Sequence, residues 1–508
     1  MLKKIVSVGG WTLVSRVTGF ARDVTMAAVL GAGPITDAFV VALRLPNHFR
    51  AIFGEGAFNA AFIPTYAQAR AARGDADARI FAGRIAALVL AVQLLVLAAA
   101  LAFMPQLVGL LAPGFVDDPE RFDLTVTLTR ITFPYLLFVT LVTLLSAVLN
   151  AHDRFAAAAG APILLNVSLI AGLLLAGFFP SAGHAAAWGV AVAGVLELLL
   201  VWWDALARGI APKPARPRLD PDVRKFFRTL GPALIGSAGV QIAMFADTII
   251  ASLLPTGAVS SLYYADRLYQ LPVGVIGIAA GTVLLPEMSR RIAEGDVPGA
   301  HGAQNRAVGL VLVLALPAAA AFVAVPDLIM LALFGRGAFT AADAAAAGAV
   351  LAAYATALPA VVLIRAGLAS FHARSDTATP VLASLTGVAV NVVFKILLTG
   401  PLGAPGLAYA TAIGAWVNVA LLFLLARRRG LTAPDATLGK TLAVSLVGAV
   451  ALAGAVLALR DPAGAFAVRL PALEAEMHLA LLAGAGAVLY AALLLVGLKL
   501  ARVRLSRR

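Results

Sequence analysis

Apolar residues form long runs along this chain, and the runs recur from one end to the other. A helix needs about 20 mostly apolar residues to cross a bilayer. The pattern predicts fourteen membrane-spanning helices, over 7–31, 35–63, 82–104, 126–150, 160–179, 185–207, 229–254, 260–285, 307–326, 345–371, 379–399, 404–426, 439–459 and 477–498. We therefore predict an all-α polytopic membrane protein.

The first apolar run contains charged residues. Arg16, Arg22 and Asp23 interrupt it, and no A-x-A cleavage pattern follows. A cleavable signal peptide has an uninterrupted apolar region before such a site, so we expect this helix to stay in the protein. The chain is 61% hydrophobic and 13% charged, with a mean hydropathy of +0.94. These values are typical of integral membrane proteins.

The loops differ in their content of lysine and arginine. If Met1 is cytoplasmic, most of the 39 basic residues fall at the cytoplasmic ends of the predicted spans. The basic residues of the loops on the other side are Arg121, Arg336, Arg460 and Arg469. Because such an excess marks the cytoplasmic side, we predict that both termini are cytoplasmic. This topology accounts for the net charge of +13 without a nucleic-acid partner.

The chain contains an internal repeat. Prolines and histidines recur about 220 residues apart: Pro64 and Pro286, Pro105 and Pro326, His152 and His372, Pro162 and Pro380. Each copy holds six spans, so both copies insert the same way up, as in secondary transporters with parallel repeats. The predicted domains are an N-terminal six-helix lobe (1–210), a basic cytoplasmic linker (211–228), a C-terminal six-helix lobe (229–436), and two additional helices with a basic tail (437–508).

Two interpretations of the basic linker remain open. Its prolines prevent a regular helix in the first part, whereas VRKFFRTL at 223–230 could lie on anionic lipid headgroups through Phe226 and Phe227. Alternatively, the linker is a solvated segment that obeys the positive-inside rule.

Residues for enzymatic or cofactor chemistry are not apparent. The absence of cysteine excludes thiolate metal sites and disulfides. The six histidines lack metal-ligand spacing, and no G-x-x-x-x-G-K-[ST] phosphate loop is present. We therefore expect a transporter rather than an enzyme, with no catalytic residue, metal or cofactor. The acidic pair at 117 and 118, in an outer loop, is expected to be a solvated turn rather than a metal-binding motif.

Arginines within the spans are the candidate functional residues. Arg16, Arg22, Arg44 and Arg50 lie in the first two spans, and Arg267 lies in mid-chain. A guanidinium in hydrocarbon costs about 2.5–3.5 kcal/mol on insertion scales, so it normally faces a water-filled cavity or a partner. Its planar fork suits the oxygens of a diphosphate. The alternative is that each arginine is neutralised by an acid and only holds helices together: Asp23, Asp37, Glu55 or Asp266.

A family resemblance is carried by four motifs: SRVTGFARD at 15–23, TDAF at 36–39, LPNHFRAIFGEGAF at 45–58 and YYADRLYQLP at 263–272. They resemble the MurJ (MviN) family of bacterial lipid II flippases, in the multidrug/oligosaccharidyl-lipid/polysaccharide exporter superfamily. The resemblance covers essentially the whole chain. It implies two six-helix lobes around a central cavity, two further helices that form a groove for the polyprenyl tail, and alternating access in the bacterial cytoplasmic (inner) membrane.

The resemblance also implies the binding residues and partners. By motif position the substrate-binding residues are Arg16, Arg22, Asp37, Arg50, Glu55 and Arg267. Many relatives carry a second arginine where this chain has Ala51. The implied substrate is lipid II, an undecaprenyl-diphosphate-linked muropeptide, with membrane lipids and the cell-wall synthesis machinery as further partners. Another polyprenyl-linked oligosaccharide, or the cargo of a multidrug exporter of the same superfamily, is the alternative.

A second group of polar residues lies within the spans of the C-terminal half. Lys395, with Asn391 one turn before it, lies deep in the eleventh span, and Asp247 lies in the seventh. We predict an ion pair between Lys395 and Asp247. An ammonium group at this position could replace a coupling cation, which argues against a sodium site. A structural pair, or a lysine that reaches the interface, is the alternative.

Overall fold

The structure, a computed structural model, describes residues 2–53, 57–213, 215–469 and 473–503, with side chains except at 2–8, 51–53, 235–243 and 278–283. Over these residues the protein is all-helical and contains no strand. The predicted fold class, an all-α polytopic membrane protein, is confirmed.

The described residues form nineteen α-helices. They are α1 (Leu2–Leu30), α2 (Pro34–Phe53), α3 (Ala57–Arg73), α4 (Asp75–Ala102), α5 (Met104–Leu111), α6 (Pro119–Thr132), α7 (Tyr135–Ala151), α8 (Ala156–Leu174), α9 (Ala182–Ala207), α10 (Pro221–Ser252), α11 (Ala258–Ala293), α12 (Val297–Ala324), α13 (Pro326–Phe334), α14 (Ala341–Ala355), α15 (Leu358–His372), α16 (Ala378–Leu402), α17 (Ala404–Arg428), α18 (Ala436–Ala467) and α19 (Glu474–Leu500).

Among the described residues, ten helices or helix pairs are long and apolar enough to cross a membrane. They are α4, α6 with α7, α8, α9, α12, α14 with α15, α16, α17, α18 and α19. The other four predicted spans coincide with α1, α2 with α3, α10 and α11. The protein is therefore a multi-pass membrane protein, and its more polar helices are the ones that carry the candidate arginines.

Two predicted spans are each divided into two helices. The run at 126–150 contains α6 and α7, which are separated at Phe133 and Pro134, and the run at 345–371 contains α14 and α15. Proline lacks an amide hydrogen, so it interrupts the helical hydrogen bonds. Pro134 precedes α7, and Pro359 is the second residue of α15. The interruptions occur at corresponding places in the two copies of the repeat.

Two short helices, α5 and α13, were not predicted from the sequence. They follow α4 and α12 and have a proline at their first or second position. At eight and nine residues they are too short to span a bilayer, so a search for membrane-length runs does not find them.

The chain divides into two compact units, Met1–Val259 and Ser260–Arg508. Helix α10, which the repeat assigns to the C-terminal lobe, packs on α2 and α3 within the first unit. In the second unit, α18 and α19 pack together, and α18 also packs on α12.

The last part of the predicted linker is helical. Asp220 caps α10 by accepting a hydrogen bond from the amide of Val223. Phe226 is fully buried in an aromatic cluster with Phe58 and Phe62. Its ring therefore packs inside the protein and does not lie on the membrane surface, whereas Phe227 is exposed. Aromatic burial decides between these locations, because a buried ring contributes about 1.5–3 kcal/mol.

Candidate functional site

Arg22 is held at the centre of a polar group between α1 and α8. Its Nη2 and Nε donate to Oδ1 of Asp23 at 2.7 and 3.0 Å, and its Nη1 donates to Oδ1 of Asn166 at 3.0 Å. The Arg22 side chain is 14% exposed and that of Asp23 is 6% exposed. The guanidinium plane is therefore fixed by two partners while part of it stays accessible.

Asn166 of α8 was not predicted as a site residue. Its Nδ2 donates to the carbonyl oxygen of Ser15 and to the hydroxyl of Thr18, both at 3.1 Å. The amide thus joins α8 to the segment of α1 that carries Arg16 and Arg22. Arg16 itself is exposed. An asparagine in the apolar run ILLNVSLI at 163–170 was the available sequence indication.

A proline in α2 lies near its arginines. Pro46 has no amide hydrogen, so the carbonyl oxygen of Ala42 has no partner within the helix. The hydroxyl of Thr132, at the end of α6, donates to that oxygen at 2.9 Å. A residue at the end of α6 thus supplies the hydrogen bond that the Ala42 carbonyl oxygen lacks within α2. Such a partner is required where water is scarce.

Helix α10 contacts the polar face of α2. Nη1 of Arg44 donates to the hydroxyl of Thr248 at 3.4 Å, and Nε2 of His48 lies 3.4 Å from the same hydroxyl. The His48 ring lies 4.7 Å from that of Phe245. Arg50, two residues after His48 on α2, is half-buried. Glu55 lies outside the described residues.

Asp37 lies in a buried contact at the beginning of α2. Its carboxylate is fully buried and accepts the backbone N–H of Gly257 at 2.7 Å. Nη1 of Arg121 lies 3.5 Å from the same carboxylate and donates to the hydroxyl of Thr256 at 3.1 Å. Gly257 has φ +90°, a conformation that favours glycine. Asp37 and Arg121 therefore hold the turn that follows α10.

Asp118, the second residue of the acidic pair at 117 and 118, has a structural role, whereas Asp117 is exposed in a turn. Asp118 caps α6 by accepting from the amide of Arg121 at 3.2 Å, and its carboxylate also lies 3.4 Å from Nε of Arg121. Arg121, expected in an outer loop, is 7% exposed at its side chain and lies 4.0 Å above the ring of Phe115. The turn thus positions a buried arginine.

The other end of α10 is attached to α3 and α4. Arg73 pairs with Asp222, Arg84 pairs with Asp220, and Lys225 donates to Gln68. The buried ring of Phe226 lies in the same part of α10. Together with the contacts of Gly257, they attach α10 to the first unit near both of its ends.

In the second unit, the guanidinium of Arg267 lies 4.8 Å above the ring of Tyr263 on the same helix, α11. The neighbouring Asp266 accepts from Nε2 of Gln270 at 2.5 Å. Both Arg267 and Asp266 are half-buried. The aromatic ring thus supports one face of the guanidinium.

Lys395 is 1% exposed in α16, and Asn391 lies on the same helix. Asp247 is half-buried in α10 of the first unit. The predicted pair between Lys395 and Asp247 stays a prediction. Among the described residues, no group of three or more histidine or acidic side chains could hold a metal ion.

A cavity of about 330 Å³ lies in the second unit between α11, α12 and α18. Most of its lining is apolar, including Leu284, Leu310 and Leu438, and Glu287 and Arg306 provide polar groups. Glu287 accepts from Nη2 of Arg306 at 3.2 Å. An apolar cavity with a few polar groups is typical of a ligand site.

A family model described as Lipid II flippase MurJ matches residues 26–463. The probable lipid II flippase MurJ of Rhizobium meliloti is 45% identical over 435 residues, which cover 85% of this chain and 81% of that protein. The lipid II flippase MurJ of Burkholderia cenocepacia is 34% identical over 441 residues, covering 86% of this chain and 85% of that protein.

Two solved structures have the same fold. A lipid II flippase MurJ in an inward closed conformation matches with a TM-score of 0.80 and 21% identity, over 97% of this chain and 98% of that one. An inward-facing multidrug-resistance MATE transporter of the MOP superfamily matches with a TM-score of 0.68 and 16% identity, over 82% of this chain and 95% of that one. At these identities the likeness concerns the fold.

Proposed function

Because this chain belongs to the lipid II flippase MurJ family, we propose that it moves lipid II from the inner to the outer leaflet of the bacterial cytoplasmic membrane. It is a transporter, and in this function it supplies peptidoglycan synthesis. The observation that carries the proposal is the family match, which contains the arginine motifs around Arg50 and Arg267. The cell-wall synthesis machinery remains a candidate partner.

The physical problem is the headgroup. A diphosphate with sugars and a peptide cannot cross about 30 Å of hydrocarbon alone, because its charges and amides would lose water without replacement. The polyprenyl tail can stay in the lipid. We therefore propose that the protein provides polar partners for the diphosphate, while the tail follows along an apolar surface.

The proposed diphosphate ligands are Arg16, Arg22, Arg50 and Arg267. Arg22 supports this role because Asp23 and Asn166 orient its guanidinium while part of it stays accessible. Arg267 supports it through its position over Tyr263. Pre-oriented arginines bind phosphate oxygens with less loss of side-chain entropy than free ones. Glu55 stays a prediction from the family motif.

Asp37 is better explained as part of a latch than as a ligand of the headgroup. A fully buried carboxylate that already accepts the Gly257 amide and contacts Arg121 has little remaining surface for a large substrate. We propose that this contact closes the outer side of the protein. Its loss would then be a step in opening that side.

Alternating access would use the two sets of contacts that hold α10: those near its beginning with α3 and α4, and the contact of Asp37 with Gly257 after its end. The positive-inside rule assigns the end with Arg73, Arg84 and Lys225 to the cytoplasm, so the contacts around Phe226 would close the inner side. The Asp37 latch would close the outer side. If one attachment breaks while the other holds, the site is open to one side at a time.

The polyprenyl tail is proposed to lie against α18 and α19. The cavity beside α18, with its apolar lining, supports this location for part of the tail. The source of energy is proposed to be independent of sodium, because Lys395 would provide the positive charge in the C-terminal half. Equal transport with and without sodium is the expected result.

A depletion experiment tests the proposal. Arg22→Ala, Arg50→Ala and Arg267→Ala should each fail to restore growth to cells that lack their lipid II flippase, although the protein is present in the membrane. Arg290→Ala is the matched control, because its side chain is 61% exposed in a surface pair with Glu294. Wild-type growth of all three arginine variants would contradict the proposed site.

The same cells separate the alternative function. Loss of a lipid II flippase should cause lysis while lipid-linked precursor accumulates on the inner face. A drug exporter of the same superfamily should leave growth intact when it is lost. If the protein is instead a flippase for another polyprenyl-linked oligosaccharide, its loss should leave lipid II levels unchanged.

A further inference from the structure

A cleft of about 640 Å³ lies in the first unit between α1, α8 and α9. This volume is within the range of ligand sites in proteins. Its lining comes from the beginning of α8, the end of α9 and the first third of α1. The positive-inside rule assigns this end of α8 and α9 to the cytoplasm. None of the residues that line the cleft belongs to the proposed diphosphate site.

The lining of the cleft changes from polar to apolar along the helices. Charged side chains lie at its cytoplasmic rim, whereas Ile163, Leu164 and Leu200 line it about two turns further along α8 and α9. Trp11 and Trp203 also line the cleft and are 42% and 74% exposed. Tryptophan is enriched where lipid headgroups meet acyl chains. The cleft therefore has the polarity profile of a phospholipid, with a polar end and an apolar interior.

The beginning of α8 forms the part of the rim that suits a phosphate. Arg154 lies two residues before this helix and is exposed, and its side chain has no hydrogen-bond or ion-pair partner among the described residues. Phe155 precedes α8, and no side chain caps the amides of the first turn. The beginning of a helix also carries a partial positive charge. Uncapped amides together with a guanidinium favour phosphate oxygens.

The end of α9 forms the part of the rim that suits a cation. Nε of Arg208 donates to Oδ1 of Asp204 at 2.8 Å, and Oδ2 of Asp204 has no partner in the part of the chain that the structure describes. The end of a helix carries a partial negative charge. With Asp153, the rim contains two arginines and two aspartates. Its charges therefore balance, which favours a zwitterionic ligand over a purely anionic one.

We propose that this cleft binds a phospholipid of the inner leaflet whose headgroup has a primary ammonium beside its phosphate, as in phosphatidylethanolamine. The phosphate lies at Arg154 and the beginning of α8, and the ammonium lies at Asp204. An acyl chain follows the apolar part of the cleft. The bound lipid thus joins the beginning of α8 to the end of α9. This inference does not depend on the proposed function.

The experiment uses the full-length protein in proteoliposomes, where brominated acyl chains quench the fluorescence of a tryptophan that they contact. Phosphatidylethanolamine carries the bromine in one set and phosphatidylcholine in the other, each mixed with the unlabelled second lipid. The chain has five tryptophans. The cleft reporter keeps Trp11 and carries Trp188→Phe, Trp202→Phe, Trp203→Phe and Trp416→Phe. The matched reporter carries Trp11→Phe and keeps Trp188, which is 50% exposed near the other end of α9.

Trp11 should report a preference of about fivefold for phosphatidylethanolamine, and Trp188 should report none. The choline ammonium has no hydrogen to donate to Asp204, and a fivefold preference corresponds to about 1 kcal/mol, as for an exposed ion pair. Asp204→Asn should abolish the preference at Trp11. Asp77→Asn is the matched control and should keep it, because Asp77 forms a comparable pair with Arg73 outside the cleft.

Arg154→Ala tests the phosphate part of the rim. In detergent, the rise in melting temperature with added phosphatidylethanolamine reports binding. The rise should be smaller in Arg154→Ala than in wild type, because the phosphate loses its cation. It should be unchanged in Arg228→Ala, which removes an exposed arginine outside the cleft. A rise of wild-type size in Arg154→Ala would contradict the assigned position of the phosphate.

The outcomes with different lipids decide the proposal. Equal quenching of Trp11 by the two brominated lipids would overturn it, because the cleft would then hold ordinary boundary lipid. Stronger quenching by brominated phosphatidylglycerol than by brominated phosphatidylethanolamine would overturn the zwitterionic assignment. If the tryptophan variants do not fold, the wild-type protein decides: a larger rise in melting temperature with phosphatidylethanolamine than with phosphatidylcholine supports the site, and an equal rise overturns it.

Discussion

The hydroxyl of Thr132 donates a hydrogen bond to the carbonyl oxygen of Ala42 at 2.9 Å. That oxygen lies four residues before Pro46, which cannot donate to it. The same arrangement occurs in the second unit, where the hydroxyl of Tyr490 donates at 2.7 Å to the carbonyl oxygen of Val313, four residues before Pro317. In both cases another helix satisfies a carbonyl that a proline has released.

Thr132→Val should lower the free energy of unfolding by about 1–3 kcal/mol, because it leaves the Ala42 carbonyl buried without a partner. In a Pro46→Ala background the loss should be smaller, since Ala at 46 supplies the missing amide. A double-mutant cycle by denaturant unfolding in detergent measures the coupling. Thr129→Val is the control, because its hydroxyl donates to Thr125, whose carbonyl keeps its helical partner. Additive losses would contradict this explanation.

Tyr490→Phe should weaken the docking of α19 on α12 for the same reason. We expect the protein to lose about 1–3 kcal/mol of stability, with faster proteolysis near the C-terminus. The effect should shrink when Pro317→Ala is added. Tyr409→Phe, at a tyrosine that is 37% exposed, should leave both readouts unchanged. An equally large effect of Tyr490→Phe in the Pro317→Ala background would rule out the carbonyl of Val313 as the cause.

Asp37→Ala should open the contact with the turn after α10. The chain has no cysteine, so Val259→Cys, at a site that is 1% exposed, gives a reporter free of background. Hydrogen bonds to charged groups contribute about 1.5–3 kcal/mol, so labelling by an impermeant maleimide should accelerate at least about tenfold. Asp118→Ala breaks a more exposed pair with Arg121 and should have a smaller effect. An unchanged labelling rate in Asp37→Ala would contradict the proposal that the Asp37 contact closes the outer side.

Asn166→Leu should reduce flipping by releasing Arg22 from α8. The substitution removes one acceptor of the guanidinium and both donations to α1. Asn166→Asp should reduce flipping further, because a carboxylate would compete with the diphosphate for Arg22. Ser168→Ala on the same helix is the control. Rates are measured in proteoliposomes with fluorescent lipid II, and wild-type rates for both Asn166 variants would show that Arg22 needs no support from α8.

His152 should make stability depend on pH. His152 follows the last residue of α7, and its Nε2 lies 3.0 Å from the hydroxyl of Tyr66 on α3. Burial, followed by repulsion from Arg70, lowers the pKa of His152 below its usual 6.5. The folded protein therefore binds this proton less readily than the unfolded chain. The contribution of the neutral ring is complete above pH 6.5 and is lost as the pH falls through the lowered pKa. His152→Gln should have a flatter decline of melting temperature between pH 7 and pH 5 than wild type.

The positions of the spans followed from the sequence because membrane-length apolar runs are a local property of the chain. Prolines at corresponding places and the arginine motifs were likewise visible in the order of residues, so the fold class and the family were predicted correctly. The helices α5 and α13 were missed, since eight or nine apolar residues resemble the end of a longer span.

The partners of the candidate residues were decided by tertiary structure alone. Asn166, Glu197 and Thr132 each lie in or beside an apolar run, and nothing in their spacing indicates that they bond to Arg22, Tyr135 and Ala42. The charge pattern assigned Arg121 to an outer loop, and it gave no indication that this side chain is buried beside Asp37. Periodicity along a chain predicts which residues share one helix. Which groups meet across helices depends on how those helices pack, and a buried polar group must find a partner there because water and lipid do not provide one.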